Sequence, residues 1–431
     1  MKIRKSTLSD ESDVKALWGY CFEPPTDPFF QWYFKELAKP EEILVGENQG
    51  SIACDLHRRP YDLSIRGLRY PVDYIVGVAT HPAARMRGYA KELIRGEFHL
   101  ALKEDKPFVI LMPSAASFYL PMGFGFYAHQ WERSAAPERL AALGRRADSC
   151  RTLTSSNDWK DLASIYREYT KKRNGWAYRD EKSWEKHIDA QLLEGYIAVT
   201  YDRKGPSGYL FYTLDDRKLI ASEMAFKNEA GRKALYAFMA GHQGSVDTCV
   251  WYEPLDDHSF RYWQDGAEHT YIKNRTFPFM LGRVIDPVIA FDGLPCSKEI
   301  KGEIAFQLID SFLPENSGIY VLRAEDGRIH ALKEDVFYDL KCHIEDISGL
   351  RLGSVPDPVF SIDAGSLAEL FMGAADLSEL VEAERAKILL SDDEAAEKAV
   401  DLAVAMLPRE CNRSEERRVG KECRSRWSPY H

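Results

Sequence analysis

Apolar residues recur along this chain at two spacings, and the alternation between them marks out three blocks. After the polar start Ser9-Asp10-Glu11-Ser12, residues Val14, Leu17, Trp18 and Cys21 fall three or four apart, which predicts a helix with a capped beginning. Apolar runs at residues 42–47, 51–58 and 70–80 predict strands, followed by a helix over about 88–103 and a strand at 108–112. A second block, from about residue 150, restarts the pattern. A helix over 158–173 carries Trp159, Leu162, Ile165, Tyr166 and Tyr169 on one side, and strands at 195–201, 208–214 and 218–225 precede a helix at 231–242. The third block opens near Lys298 with a helix start, continues with strands at 318–323, 327–331 and 359–362, and ends in an acidic helical stretch over 366–406. Mixed strands and helices in every block make the chain α/β (α+β).

Length fits this division, because 431 residues exceed what one hydrophobic core organises. The expected domains are 1–145, 146–294 and 295–412. Residues 413–431 stand apart: six of them are Lys or Arg, apolar positions are few, and no periodicity joins them to the preceding helix, so they read as a non-native tail. The eight cysteines are widely scattered, with no C-x-x-C pair and no Cys/His spacing suited to a metal. That usage suits free thiols in a reducing compartment, and a cytoplasmic protein is expected. No window approaches the roughly 20 apolar residues of a membrane span. The net charge of -10 argues against general nucleic-acid binding and favours cationic small molecules as partners.

The chemistry concentrates between residues 74 and 126. The apolar strand Tyr74-Ile-Val-Gly-Val-Ala-Thr80 leads through His81-Pro82 into Arg85-Met-Arg-Gly-Tyr-Ala90 and then a helix. The first peptide N–H groups of a helix have no internal partners and sit at the positive end of its dipole. A diphosphate can rest there, with Gly88 admitting close approach and Arg85 and Arg87 adding charge. The strand before the loop offers peptide groups to any extended, amide-bearing ligand. A second strand and then Phe118-Tyr-Leu-Pro-Met-Gly-Phe-Gly-Phe126 complete the order.

This order resembles the GNAT acetyltransferases, with Val78-Ala-Thr80 and Arg85-x-x-Gly88-x-Ala90 similar to their acetyl-CoA motif and Phe118-Tyr119 followed by Gly123-Phe124 similar to the segment carrying their tyrosine. The three blocks resemble one branch, the Eis-type (enhanced intracellular survival) enzymes, which have two tandem GNAT-like mixed-sheet domains and a C-terminal sterol-carrier-like α+β domain. The resemblance implies that Val78, Ala79 and Thr80 hold the pantetheine arm and acetyl carbonyl of acetyl-CoA. Arg85, Met86, Arg87, Gly88, Tyr89 and Ala90 would hold the pyrophosphate, and Ser114 would line the groove. Tyr119 would protonate the departing thiolate, a fit for a phenol whose pKa of about 10 is close to that of a thiol. It implies further an N-acetyltransferase acting on a cationic primary amine (aminoglycoside or polyamine-like) without a metal, and a homo-hexamer. Protein lysine acetylation, or a non-catalytic protein binding CoA or lipid, are the alternatives.

Residues 22–32 combine aromatics with Glu23 and Asp27, which suits a cleft for a cationic amine or a packed loop after the first helix; Asp27 and Trp32 are the substrate candidates. Cys54 and His57 fit ordinary positions on a strand better than a nucleophile and its base, and His81 reads as a turn residue. In the second block Lys227-Asn-Glu-Ala-Gly-Arg232 stands where the first has its phosphate loop, with Glu229 in an anion's place, so this block reads as a degenerate copy shaping the substrate cleft. In Eis-type enzymes the native C-terminal carboxylate is understood to serve as general base. Pro408-Arg-Glu-Cys411 resembles the stretch before it, but this chain runs on to His431, so no base is assigned.

Overall fold

The computed structural model describes residues 1–263, 272–334 and 357–412. The first block runs β1 (Lys2–Lys5), α1 (Glu11–Cys21), α2 (Pro28–Glu36), β2 (Ile43–Asn48), β3 (Ser51–Ile65), β4 (Leu68–Thr80), α3 (Tyr89–Lys103), β5 (Phe108–Leu111), α4 (Ala116–Tyr119) and β6 (Gly125–Ala135). The second runs α5 (Pro137–Leu143), β7 (Ser149–Leu153), α6 (Trp159–Thr170), β8 (Trp176–Ala177), α7 (Glu181–Glu194), β9 (Tyr196–Asp202), β10 (Gly205–Asp215), β11 (Lys218–Phe226), α8 (Glu229–Ala240), β12 (Thr248–Pro254) and β13 (Lys273–Val284). The third holds α9 (Pro287–Phe291), β14 (Gly302–Ile309), β15 (Gly318–Glu325), β16 (Arg328–Lys333), β17 (Phe360–Asp363), α10 (Ala364–Met372), α11 (Leu377–Glu382), β18 (Ala386–Ile388) and α12 (Asp393–Met406).

Three expectations change. Part of the 22–32 segment is helical: Asp27 accepts the N–H of Phe29 at 2.7 Å and Pro28 occupies the first turn of α2, where a missing N–H costs nothing. The expected helix start near Lys298 gives way to the strand β14, which buries Ile304, Ala305, Phe306 and Leu308 and exposes Glu303, Gln307 and Ile309. The acidic end is three helices and a short strand, because Asp376 and Glu379 form a capping box that starts a new helix at Leu377. The expected non-native tail lies outside the described residues.

Blocks one and two share a 13-stranded sheet in the order β1-β2-β3-β4-β5-β13-β6-β12-β11-β10-β9-β7, with β8 attached to β3. The strands are not kept apart by block. β13 of the second block pairs antiparallel with β5 and with β6, and β6 of the first lies between β13 and β12 of the second. The third block adds a five-stranded sheet, β16-β15-β14-β17-β18. Among the described residues its inner face is closed by side chains: Phe306 stacks between Tyr320 and Phe360, both at 5.5 Å, and Leu322, Ile362 and Phe371 are buried around them.

Apolar clusters cover both faces of the first-block sheet. On one, Leu93, Ile94, Phe98 and Ala101 of α3 pack on Leu56, Ile75, Val109 and Leu111, joined by Phe312 and Leu313 from the third block. On the other, Trp18, Phe29, Phe30, Tyr33 and Leu37 of the α1–α2 segment form an aromatic layer. Among the described residues no helix is long and apolar enough to cross a membrane.

Candidate active site

β4 and β5 run parallel only from Val72↔Phe108 to Ile75↔Leu111. Beyond Ile75, β4 continues to Thr80 while β5 has ended, so one edge of β4 loses its partner. Against β3, the register shifts between His57 and Arg58, which face Gly77 and Ile75, leaving Val76 as the extra residue of a bulge. Past the bulge the antiparallel alternation is fixed by one bond, His81 N–H to the Ala53 carbonyl at 2.9 Å. Bonded pairs recur every second residue, so Ala79 turns its peptide groups to Asp55 on β3. Val78 and Thr80 turn theirs to the open side, where β5 has peeled away.

The chain then makes the loop that opens α3. Met86, with φ +62°, and Gly88, with φ +79°, both take left-handed backbone, and Gly88 is the residue preceding α3. A non-glycine in that region is strained by about 1 kcal/mol or more, and Met86 is fully exposed, so packing does not explain its conformation. A Cβ built on Gly88 meets nothing within 4 Å, which leaves open space in front of the N-terminus of α3. His81 accepts the N–H of Ala83 through Nδ1 at 3.3 Å, a turn role as expected. Arg87 is exposed. Arg85 is half-buried and folds back, donating from Nε to the Thr80 carbonyl at 3.3 Å with its guanidinium 6.0 Å from the ring of Tyr20. Tyr89 and Ala90, in the first turn of α3, are half-buried.

Tyr119 ends α4 and borders the same apolar cluster as Val78 and Tyr89. Its ring meets Phe118 at 5.0 Å and Phe124 at 5.9 Å, both edge-on. Ser114, in the turn after β5, is exposed. Asp27 and Trp32 lie on the opposite face, in the α1–α2 segment. The Asp27 carboxylate caps α2, and Trp32 is half-buried beside Phe29 at 5.9 Å. Under this layer the indole Nε1 of Trp18 donates to Glu23 at 2.9 Å, and Tyr33 Oη and His57 Nδ1 lie 2.9 Å apart.

Cys54 and His57 lie on opposite faces of β3, the first in the α3 cluster and the second under the aromatic layer, so they do not work together. Burial pulls His57 down to about 3, keeping its imidazole neutral, and pushes the carboxyl of Asp55 well above the usual carboxylate range. It also raises the Cys21 thiol, although Arg85 and the Thr80 backbone oppose that rise. Sequence reasoning missed Tyr20 and Cys21 as neighbours of Arg85, and no local pattern could have found them: they approach only through the packing of α1 on the sheet.

The corresponding turn of the second block is differently furnished. The Asn228 side chain accepts the N–H of Gly231 at 3.0 Å, and the Glu229 carboxylate pairs with Arg232. An anionic side chain of the protein itself already occupies the start of α8. At the end of the described chain, Asn174 donates its peptide N–H to the Cys411 carbonyl at 2.8 Å and Nδ2 to the Asn412 side chain at 2.7 Å. Asn174 also accepts the N–H of Arg66, at the β3–β4 turn, at 2.6 Å.

The splayed strand pair, the loop and the start of α3 all lie within residues that a known family model matches. The family model described as acetyltransferase (GNAT) domain matches residues 2–127, and a second acetyltransferase (GNAT) domain model matches residues 175–284. The chain belongs to the GNAT acetyltransferases. It is an acyltransferase, and a sterol carrier protein domain model matches residues 288–410. Solved structures share the whole arrangement. A probable N-acyltransferase from Enterococcus faecalis is 18% identical with a TM-score of 0.80, covering 96% of this chain and 99% of its own. A GCN5-related N-acetyltransferase from Anabaena variabilis is 15% identical with a TM-score of 0.77 over 96% and 99%. Eis1 from Mycobacterium abscessus is 15% identical with a TM-score of 0.70 over 96% and 100%. At these identities the likeness is one of fold. No curated protein matches the chain.

Proposed function

We propose that the chain transfers the acetyl group of acetyl-CoA to the primary amine of a small cationic acceptor, an aminoglycoside or polyamine-like molecule. The observation that carries this reading is the open edge of β4. Peptide groups of Val78 and Thr80, left without a strand partner beyond Ile75, suit the amides of pantetheine and the thioester carbonyl, and the edge leads directly to the left-handed loop and the free space before α3. The helix N-terminus with Arg87 suits the pyrophosphate, and Arg85 reaches it by leaving the Thr80 carbonyl. The Asp27 and Trp32 region, with its aromatic layer, suits the cationic acceptor.

In the reaction the amine nitrogen attacks the thioester carbonyl carbon, forming the N–C bond as the C–S bond breaks. A peptide N–H on the β4 edge stabilises the charge growing on the carbonyl oxygen. Tyr119 gives its hydroxyl proton to the leaving thiolate and regains one from solvent, while the nitrogen loses a proton. The second block, its own loop already filled by Glu229, shapes the cleft and takes no CoA. Cytoplasmic location and a homo-hexamer remain part of this proposal.

Release of free thiol from acetyl-CoA, followed with a panel of aminoglycosides, polyamines and a lysine peptide, tests the reading. Turnover on the lysine peptide alone would shift the acceptor to protein; CoA binding without thiol release on any amine would end the enzymatic reading. Lipid carriage by the third block is disfavoured by the inner face of its sheet, which is closed by side chains among the described residues. A fluorescent fatty acid is expected to show no saturable uptake.

A further inference from the structure

The third block reaches into the core beneath the cofactor helix through residues 310–316, which follow β14. At the centre is Arg283 of β13, fully buried. Its Nη1 donates to the carbonyl of Gly123 at 3.2 Å, and its Nη2 is paired with the Asp310 carboxylate. Asp310 Oδ1 in turn accepts the peptide N–H groups of Phe312 at 3.1 Å and Leu313 at 2.9 Å. Phe312 meets Phe98 of α3 edge-on at 5.7 Å, lies 4.6 Å beneath the guanidinium of Arg95, and accepts from Arg95 Nε at 3.4 Å. One carboxylate therefore organises a plug against α3 and holds a guanidinium against the turn after Tyr119.

That turn is tightly determined. Gly123 closes it, its N–H bonded to the Leu120 carbonyl at 3.0 Å. It has φ +79°, and a Cβ there would collide with the guanidinium of Arg283 and press on Ala364 of α10. Phe124, the next residue, packs against Tyr119 at 5.9 Å and Phe98 at 5.7 Å. Isolated buried ion pairs add little net stability over apolar residues of similar volume, because desolvation offsets their attraction. A directional role explains this pair better: the guanidinium fork sets the height of the Gly123 carbonyl and so the seat of the Tyr119 ring.

We propose that Asp310, acting through Arg283, is a positioning residue for acetyl transfer, so that the sterol-carrier-like block is part of the catalytic unit. This rests on Tyr119 being the acid. The test uses the full chain carrying Asp310→Asn, which keeps an oxygen for the Phe312 and Leu313 N–H groups but removes the charge that holds Arg283. The expected result is a kcat at least tenfold lower, a KM for acetyl-CoA within about threefold of the parent, and a displaced alkaline limb of kcat. Arg283→Lys, which keeps the charge but loses the fork, is expected to lower kcat similarly and serves if Asp310→Asn does not fold. Adding Asp310→Asn to Tyr119→Phe is expected to cost little more than Tyr119→Phe alone. A merely structural link would lower Tm while leaving kcat and its pH profile intact, and that result in either folded variant overturns the proposal. If Tyr119→Phe equals the parent, the acid assignment itself fails and the positioning role goes with it. If Tyr119→Phe is slow and Asp310→Asn is not, the positioning role alone fails.

Discussion

The peptide N–H of His81 reaches the carbonyl of Ala53 at 2.9 Å, and this bond decides which residues of β4 are open to a ligand. It commits Ala79 to β3 and leaves Val78 and Thr80 facing the gap beside β5. A loop with left-handed backbone at Met86 and Gly88 carries that edge to the N-terminus of α3.

Charge reversal at the loop tests the diphosphate site. Arg85→Glu with Arg87→Glu is expected to weaken acetyl-CoA binding at least tenfold by calorimetry, with Tm little changed because Arg87 is exposed and half-buried Arg85 makes a long bond to the Thr80 carbonyl. Unchanged affinity would remove the site.

Gly88→Ala separates fold from ligand. Its φ of +79° disfavours alanine by about 1 kcal/mol, but the new methyl meets no atom within 4 Å in the protein. Stability should fall by no more than that amount, while KM for acetyl-CoA rises severalfold because the methyl occupies the space meant for phosphate oxygens. Parallel small losses in both would mean that no ligand approaches there.

Tyr119→Phe keeps the ring contacts with Phe118 and Phe124 and removes only the acid. A kcat decrease of about 10²–10⁴ is expected at nearly constant KM, the range for loss of a positioned proton donor. Steady-state kinetics with a good amine acceptor checks it, and a variant as fast as the parent refutes the assignment.

His57 makes stability pH-dependent. Burial holds it at about 3 in the folded protein, against about 6.5 for a free histidine. Above pH 6.5 it is neutral in both states and its contribution is complete. As pH falls from 6.5 towards 3 the unfolded chain takes up a proton the folded one refuses, and stability drops by about 1.4 kcal/mol per unit from this group. Urea unfolding at pH 7, 6 and 5 should show a flatter decline for His57→Gln, and an identical decline would place the titration elsewhere.

Much of this fold is legible in short-range pattern. α3, β4 and β5 follow the expected segments within two residues, because apolar periodicity and the Gly88 loop determine them locally. The pattern fails where tertiary pairing decides. β13 has no neighbour in its own block to announce its place, and the polar residues around Lys298 mimic a helix start although the strand β14 follows them. The site shows the same division. The residues of the loop stand together in sequence, whereas Arg283 and Asp310 come to the Tyr119 turn from other blocks and carry no local signature.

The placement of β13 between β5 and β6 means that each half of the large sheet completes itself with a ribbon from the other. Cutting the chain near residue 145 would strand β5 with a bare edge and deprive β12 of a neighbour, so neither half is a separable module. The two acetyltransferase-like halves should therefore melt together, and a fragment ending at the expected boundary should collect in the insoluble fraction.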